Sequence, residues 1–229
     1  SCSSSADSAI PLYGDLLARD GNTSASLRLW TEWLARAETN AAAALSPSDH
    51  DERAKRLCAL SIRTRLGQGL LGSGDVQGAE REMQAAIKEA EALLGSDHPI
   101  FYEVLAHMAN CCAAKGEAIA SEGLYRTAVD GLQLGVDRHS ATHKQLLLPT
   151  LGAYAHLVAN LSWNGRSRKP EADRLLQRAD ELRHVYFTSR PAVALSAESI
   201  ASGGEWVGLE PWYEAAFTFN FIGSFECAM

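Results

Sequence analysis

The chain has no apolar run approaching the roughly 18 residues that would cross a bilayer. Its alanine-rich stretch from Asn40 to Leu45 reads as helix instead. It has no excess of positive charge. The net charge is −7 at pH 7, so an electrostatic grip on nucleic acid or anionic lipid is not expected. Cysteines are few and odd in number: Cys2, Cys58, Cys111, Cys112 and Cys227. No spacing among them suggests a disulfide framework. Cys111 and Cys112 are adjacent, so on a helix they point about 100° apart and cannot chelate one metal as a CxxC pair does. They read as small buried hydrophobes, and a reducing, intracellular compartment is the expectation.

Catalytic signatures are also lacking. Gly67-Gln68-Gly69 with Gly72 and Gly74 is glycine-rich, but no Lys-Ser/Thr follows in phosphate-loop register. There is no G-x-S-x-G elbow to hold a nucleophile. His139 and His143 stand four apart with Asp137 nearby, yet the Glu of a HExxH motif and a fourth ligand are missing. A surface loop is the better reading. The expectation is therefore no catalytic residue, no metal and no cofactor. The chain begins Ser-Cys-Ser-Ser-Ser without Met. A mature end left by removal of a targeting segment would fit, with import into a mitochondrion or plastid. An incomplete chain would fit equally.

What is present is a repeat. Leu66-Gly67, Leu70, Gly74, Ala79, Met83 and Ala86 are matched 42 positions later by Met108-Ala109, Cys112, Gly116, Ser121, Tyr125 and Ala128. A fixed period of this size signals stacked helical hairpins. The chain is 46% hydrophobic and 21% charged, enough to bury a core between them. Small residues at Gly67, Ala79, Ala86, Ala109 and Ala128 let paired helices approach to about 8–10 Å. Large residues at Leu70, Met83, Cys112 and Tyr125 fill the spaces beside them.

The flanking pattern extends the array. Residues 1–23 read as an irregular lead with one short helix around Leu12 to Arg19. Ser24 or Ser26 is the expected cap of the next helix. Its apolar stripe is Leu27, Trp30, Leu34, Ala37, Ala41 and Leu45. A loop is expected over residues 46–51, then helices over 53–71, 75–94, 100–115 and 117–134, with Asp75 as a cap. Gly135-Val136-Asp137-Arg138-His139 reads as the next loop. Leu146, Leu147, Leu151, Tyr154, Val158 and Leu161 suit a helix that starts or kinks at Pro149. Asn164 to Lys169 is polar and basic, and Pro170 suits a first helical residue. Ala172 lies 51 positions past Ser121, so this unit carries an insertion of about nine residues.

The spacing resembles the tetratricopeptide repeat over roughly residues 53–186. The period, with the connectors Leu94-Gly95-Ser96-Asp97-His98-Pro99 and Leu134-Gly135-Val136-Asp137-Arg138-His139, looks like its kinesin-light-chain type. That resemblance implies an all-α fold, a short α-solenoid of antiparallel hairpins with an irregular C-terminal extension. It assigns Asp97-His98-Pro99 to shaping a loop, with Asp and Pro preparing the next helix. It departs from the pattern at Arg63 and Leu105, which replace an aromatic, and at Ser121, which replaces an alanine. The implied organisation is an N-terminal lead over 1–23 and a helical repeat domain over 24–186. Within that domain the best repeats are 53–94 and 100–134, and a degenerate third covers 146–186. A tail follows over 187–229.

In such arrays the first helices of successive hairpins line a groove, so Arg63, Leu70, His107 and Asn110 are the partner-binding candidates there. The Asn110 amide could bracket a ligand's backbone with paired hydrogen bonds. His156, like His107, is read as packing or groove lining. Two basic groups are read as solvated faces or docking sites for acidic segments: Arg53, Lys55, Arg56, Arg63 and Arg65; and Arg166, Arg168, Lys169, Arg174 and Arg178.

The tail differs from everything before it. It has one Arg and five Glu, a net charge of −4, and eight aromatics that argue against disorder. Trp206, Trp212, Tyr213, Phe217, Phe219 and Phe221 are its candidate anchors. They would cap the array or insert into a partner protein. The reading is a non-catalytic scaffold that binds protein subunits or peptide segments, an accessory or assembly subunit of a larger complex. Any membrane attachment would come through protein contacts. A peptide-binding adaptor or sensor is the alternative, and an enzyme is disfavoured.

Overall fold

The computed structural model describes residues 13–43, 49–137, 141–163 and 166–189. Helix α1 covers residues 13–19. It is followed by α2 (Thr23–Ala43), α3 (Asp49–Gly72), α4 (Val76–Leu94), α5 (Pro99–Ala114), α6 (Ala118–Asp137), α7 (Ala141–Asn160) and α8 (Lys169–Ser189). A ladder of β1 (Ser162–Trp163) and β2 (Arg166–Ser167) lies between α7 and α8. The fold is thus an α-solenoid of helical hairpins. The chain divides into two compact units inside α6, between Gly131 and Leu132.

One turn recurs within the first unit. Gly21, Gly74 and Gly116 take positive φ, 79°, 89° and 80°. Each donates its N–H three residues back, to the carbonyls of Ala18, Leu71 and Ala113. The following residues, Asn22, Asp75 and Glu117, donate five residues back, to Leu17, Leu70 and Cys112. This is the Schellman ending, and glycine is needed at its left-handed position. The turn then starts the next helix. Asp75 caps α4 as expected, its side chain accepting from the Gly78 N–H at 2.9 Å. At the first turn the cap is Asn22, which accepts from the Ala25 N–H at 3.3 Å. It is neither Ser24 nor Ser26. Ser26 instead occupies the place of Ala79 and Ser121, and all three are fully buried.

That equivalence means α1 and α2 are a further hairpin of the same kind. It is displaced by 53 residues from α3 and α4, since 74 − 21 = 53. Gly14 then matches Gly67, and Trp30 matches Met83. The contacts agree. A Cβ on Gly67 would lie 2.6 Å from the Met83 methyl, and one on Gly14 would run into the Trp30 indole. Two cores result. Trp30 and Leu34 of α2 pack with Ile62 and Leu66 of α3. Leu60 of α3, Ala79, Met83, Ala86 and Ala90 of α4, and Val104 and Cys111 of α5 form the second. Leu70 contributes to both. Ser121 replaces alanine without an orphaned hydroxyl, because it donates to the Ala109 carbonyl at 2.7 Å.

Several boundaries differ from expectation. Helix α3 begins at Asp49, where a loop was expected through Asp51. Helix α6 continues through Gly135 to Asp137. Gly135 is a close-approach residue rather than a stop, since a Cβ there would strike the His143 ring. Helix α7 begins at Ala141 and runs through Pro149, so the proline is not its first residue. Beside the proline, the Thr150 hydroxyl donates one turn back, to the Leu146 carbonyl at 2.7 Å. The extra residues before Ala172 include the ladder, with Ser162 opposite Ser167 and Trp163 opposite Arg166. Pro170 is the second residue of α8.

Gly67→Leu and Ala86→Trp should each overpack the α3–α4 seat and destabilise the chain by about 1–3 kcal/mol or more. Gly67→Ala should cost less, because only the mobile end of Met83 must shift. Unchanged thermal melting of the two large variants would refute this register. Gly74→Ala and Gly116→Ala should each lower stability by roughly 1–2 kcal/mol through backbone strain alone, measured by urea denaturation.

Candidate functional site

The first helices of the hairpins, α1, α3 and α5, carry a row of polar side chains at related positions. Asp15, Gln68 and Asn110 are equivalent under the 53- and 42-residue displacements. Both carboxylate oxygens of Asp15 accept from the Arg65 Nε at 3.0 Å. Arg65 is buried and also donates to the carbonyl and hydroxyl of Ser61. One turn on, Gln68 Nε2 lies 2.6 Å from His107 Nε2. Glu103 Oε1 lies 3.8 Å from the same nitrogen. Farther along α5, Asn110 Oδ1 accepts from the Tyr125 hydroxyl at 2.5 Å.

Glu103 is the least comfortable member of the row. Its side chain is 8% exposed, and its Oε2 has no hydrogen-bond partner among the described residues. Burial pushes its carboxyl above the usual range, while His107 and Arg65 pull the other way. A buried acceptor without a donor is costly, which is why burial favours the protonated carboxyl here.

The four groove candidates do not stay together. His107 and Asn110 both belong to the row. Leu70 lies beside it, partly buried between the two cores. Arg63 faces the second helices. Its guanidinium reaches Glu38 of α2 at 2.7 Å, and Glu82 and Glu89 of α4 at 2.9 and 3.7 Å. Burial raises the Glu89 carboxyl against the pull of Arg63 and Arg56. The first basic group is therefore neither a single solvated face nor a docking strip. Arg63 and Arg65 point to opposite sides and are held by carboxylates, Arg56 lies 3.9 Å from Glu89, and Arg53 and Lys55 are exposed.

The second basic group is likewise divided. Arg168 pairs with Glu171 at 2.8 Å, and Arg178 donates to Gln133 at 2.6 Å. Lys169 and Arg174 are exposed, and Arg166 stands in β2. The tail candidates Trp206, Trp212, Tyr213, Phe217, Phe219 and Phe221 lie outside the described residues, as does His139.

His98, Cys111, Cys112 and Tyr125 are occupied by structure. His98 caps α5, its Nδ1 accepting from the Ile100 N–H at 3.3 Å, with Pro99 next in the helix. The cap is thus the histidine and not Asp97. Burial raises the Cys111 thiol to about 11 and the Cys112 thiol in the same direction, which makes both poor nucleophiles. Burial also holds the Tyr125 phenol protonated. Among the described residues no cluster of three or more metal-ligating side chains occurs. Among them, too, no helix is long and apolar enough to cross a membrane.

Glu103, Gln68, Arg65 and Asp15 were not singled out as a set from sequence. The signal available was Gly21, whose distance from Gly74 places Asp15 opposite Gln68 in the repeat.

No family model matches the chain, and no curated protein matches it. Among solved structures it is similar to kinesin light chain nearly identical TPR-like repeats from Podosopora anserina. That match has 14% identity and a TM-score of 0.49, over 79% of this chain and 88% of the other. It is also similar to BtubC (BKLC) from P. vanneervenii, at 16% identity and a TM-score of 0.44, over 82% and 84% of the two chains. The fold assignment rests on the hairpins and turns of this chain, and these distant likenesses add no weight to it.

The raised Glu103 carboxyl makes a pH prediction. Its folded value exceeds the ordinary 4.5, so the folded state holds the proton more tightly than the unfolded chain. Stability is complete below the ordinary value and is lost as pH rises through the folded one. Glu103→Gln cannot ionise and should escape that loss. The variant should gain stability relative to the native chain as pH rises through this window, and the difference should level off in acid. A difference that is flat with pH in thermal melts would refute the assignment.

Proposed function

We propose that this chain is a non-catalytic protein-interaction scaffold, an accessory or assembly subunit of a larger complex. The observation that carries the reading is the stack of hairpins itself, whose first helices α1, α3 and α5 bring polar side chains into one row at repeat-related positions. An extended protein segment offers a backbone N–H and C=O at every residue. It could satisfy successive members of such a row, with His107 and Asn110 as the polar contacts and Leu70 as an apolar neighbour.

The aromatic tail supports a subunit role from sequence. Trp206, Trp212, Tyr213, Phe217, Phe219 and Phe221 are the residue types that anchor protein interfaces. A reducing compartment suits the buried thiols at Cys111 and Cys112, and import into a mitochondrion or plastid belongs to the same proposal. The second reading is a peptide-binding adaptor or sensor, in which one segment in the row releases another partner.

Native extract supplies the test. The tagged chain should co-purify with protein partners in fixed ratio. His107→Ala with Asn110→Ala should reduce recovery of any partner held by the row by about tenfold, about 1.4 kcal/mol, with the helical circular dichroism unchanged. Removal of residues 190–229 should release a different subset if the tail is an anchor. Recovery as a lone monomer under gentle conditions would sink the subunit reading.

A further inference from the structure

The second helices of the hairpins present a flank on which the next hairpin's first helix sits. On α2 that flank includes Trp30 and Leu34, packed against Ile62 and Leu66 of α3. On α4 it includes Met83, Ile87 and Ala90, in the core with Val104 and Cys111 of α5. The repeat displacement of 51 carries the flank onto α8, where Leu176 takes the place of Trp30, Met83 and Tyr125. Those three are 3%, 0% and 1% exposed, whereas Leu176 is 47% exposed. At the next two positions α2 has Leu34 and Ala37, α4 has Ile87 and Ala90, and α6 has Val129 and Leu132. Helix α8 has Asp180 and Arg183 there, paired with each other at 3.0 Å in solvent.

The flank of α8 is therefore a seat at the same helical positions with different chemistry. It is an open concavity of about 620 Å³, lined by Asp173, Leu176, Gln177, Asp180, Glu181 and His184. One apolar knob is set among three carboxylates. Even with Arg183 counted, acidic charge dominates. We propose that this flank docks a basic amphipathic helix of a partner protein, seated where a further hairpin's first helix would lie. An apolar residue of that helix would cover Leu176, and its Lys or Arg residues would face Asp173, Asp180 and Glu181. Charge selects this occupant over the chain's own end. Residues 190–229 carry one Arg and five Glu, a net −4, the same sign as the flank. The proposal deepens the scaffold reading and rests on it, but it involves none of the row on α1, α3 and α5.

The test uses the full chain and two synthetic helical peptides about four turns long. Both carry a leucine stripe, one flanked by lysines and the other by glutamates. Fluorescence anisotropy should show the lysine peptide binding at least about tenfold more tightly, with affinity falling as salt rises. Leu176→Asp should weaken it by about tenfold. The combined Asp173→Lys, Asp180→Lys and Glu181→Lys variant should reverse the preference. Glu32→Lys on α2 with Glu91→Lys on α4, both at exposed positions, should leave it unchanged. Equal binding of the two peptides, or lysine-peptide binding that survives both α8 variants, would overturn the proposal. So would binding that emerges only after removal of residues 190–229, which would give the flank to the tail. Concentration-dependent self-association that Leu176→Asp abolishes would give it to a second copy. Failure here with His107 and Asn110 still needed for partner recovery would leave the scaffold reading standing.

Discussion

The close approach of a small residue on one helix to a large residue on the next governs this structure. Gly14 under Trp30 and Gly67 under Met83 allow each pair of helices to come near enough to exclude water. In the third pair the repeat places the fully buried Ala109 there, and its carbonyl takes the Ser121 hydroxyl. Once the helices are that close, the residues around the seat have little freedom. Ala79, Ala86 and Ala90 are fully buried, and an added methylene in such a core forces neighbours off their rotamers. The glycine turns do the complementary work, because they reverse the chain in a conformation that other residues resist.

Much of this was legible beforehand for a physical reason. Helix packing has a period, and the seat residues must recur with it. Gly67, Ala79, Met83 and Ala86 could therefore be identified by matching them to Ala109, Ser121, Tyr125 and Ala128. The hairpin of α1 and α2 escaped because its displacement is 53 and not 42, and because Trp30 and Ser26 disguise the positions of Met83 and Ala79. The end of α6 was misread since Gly135 looked like a terminator, although its role is to admit the His143 ring. Polar partnerships were the least legible. Arg63 and Arg65 are two residues apart in a basic run, but a helix turns about 200° between them. One meets the carboxylates of α2 and α4, and the other meets Asp15 of α1. A linear reading of charge cannot see that division.

The candidate site follows from the same geometry. Stacking first helices brings Gln68 to His107 and Arg65 to Asp15, so polar groups that are distant in sequence become a row. The row is rigid where its members satisfy each other and costly where they do not, as at Glu103. The described cysteines nearest the row are held as thiols by burial, and the histidines on α5 and at its start serve a hydrogen-bonded pair and a cap.

The recurring glycine turn also bears on how the chain reaches its fold. The turn at Gly74 closes between Leu70 and Asp75, and the seat it serves spans only Leu66 to Ala86. Contacts so close along the chain need little loop-closure entropy, and folding dominated by them is fast. A hairpin can therefore condense while later residues are still being synthesised, and the next can be added to it in order. Helices α1 and α2, made before α3, would then act as the template on which α3 is laid, with Trp30 and Leu34 already placed to receive Ile62 and Leu66.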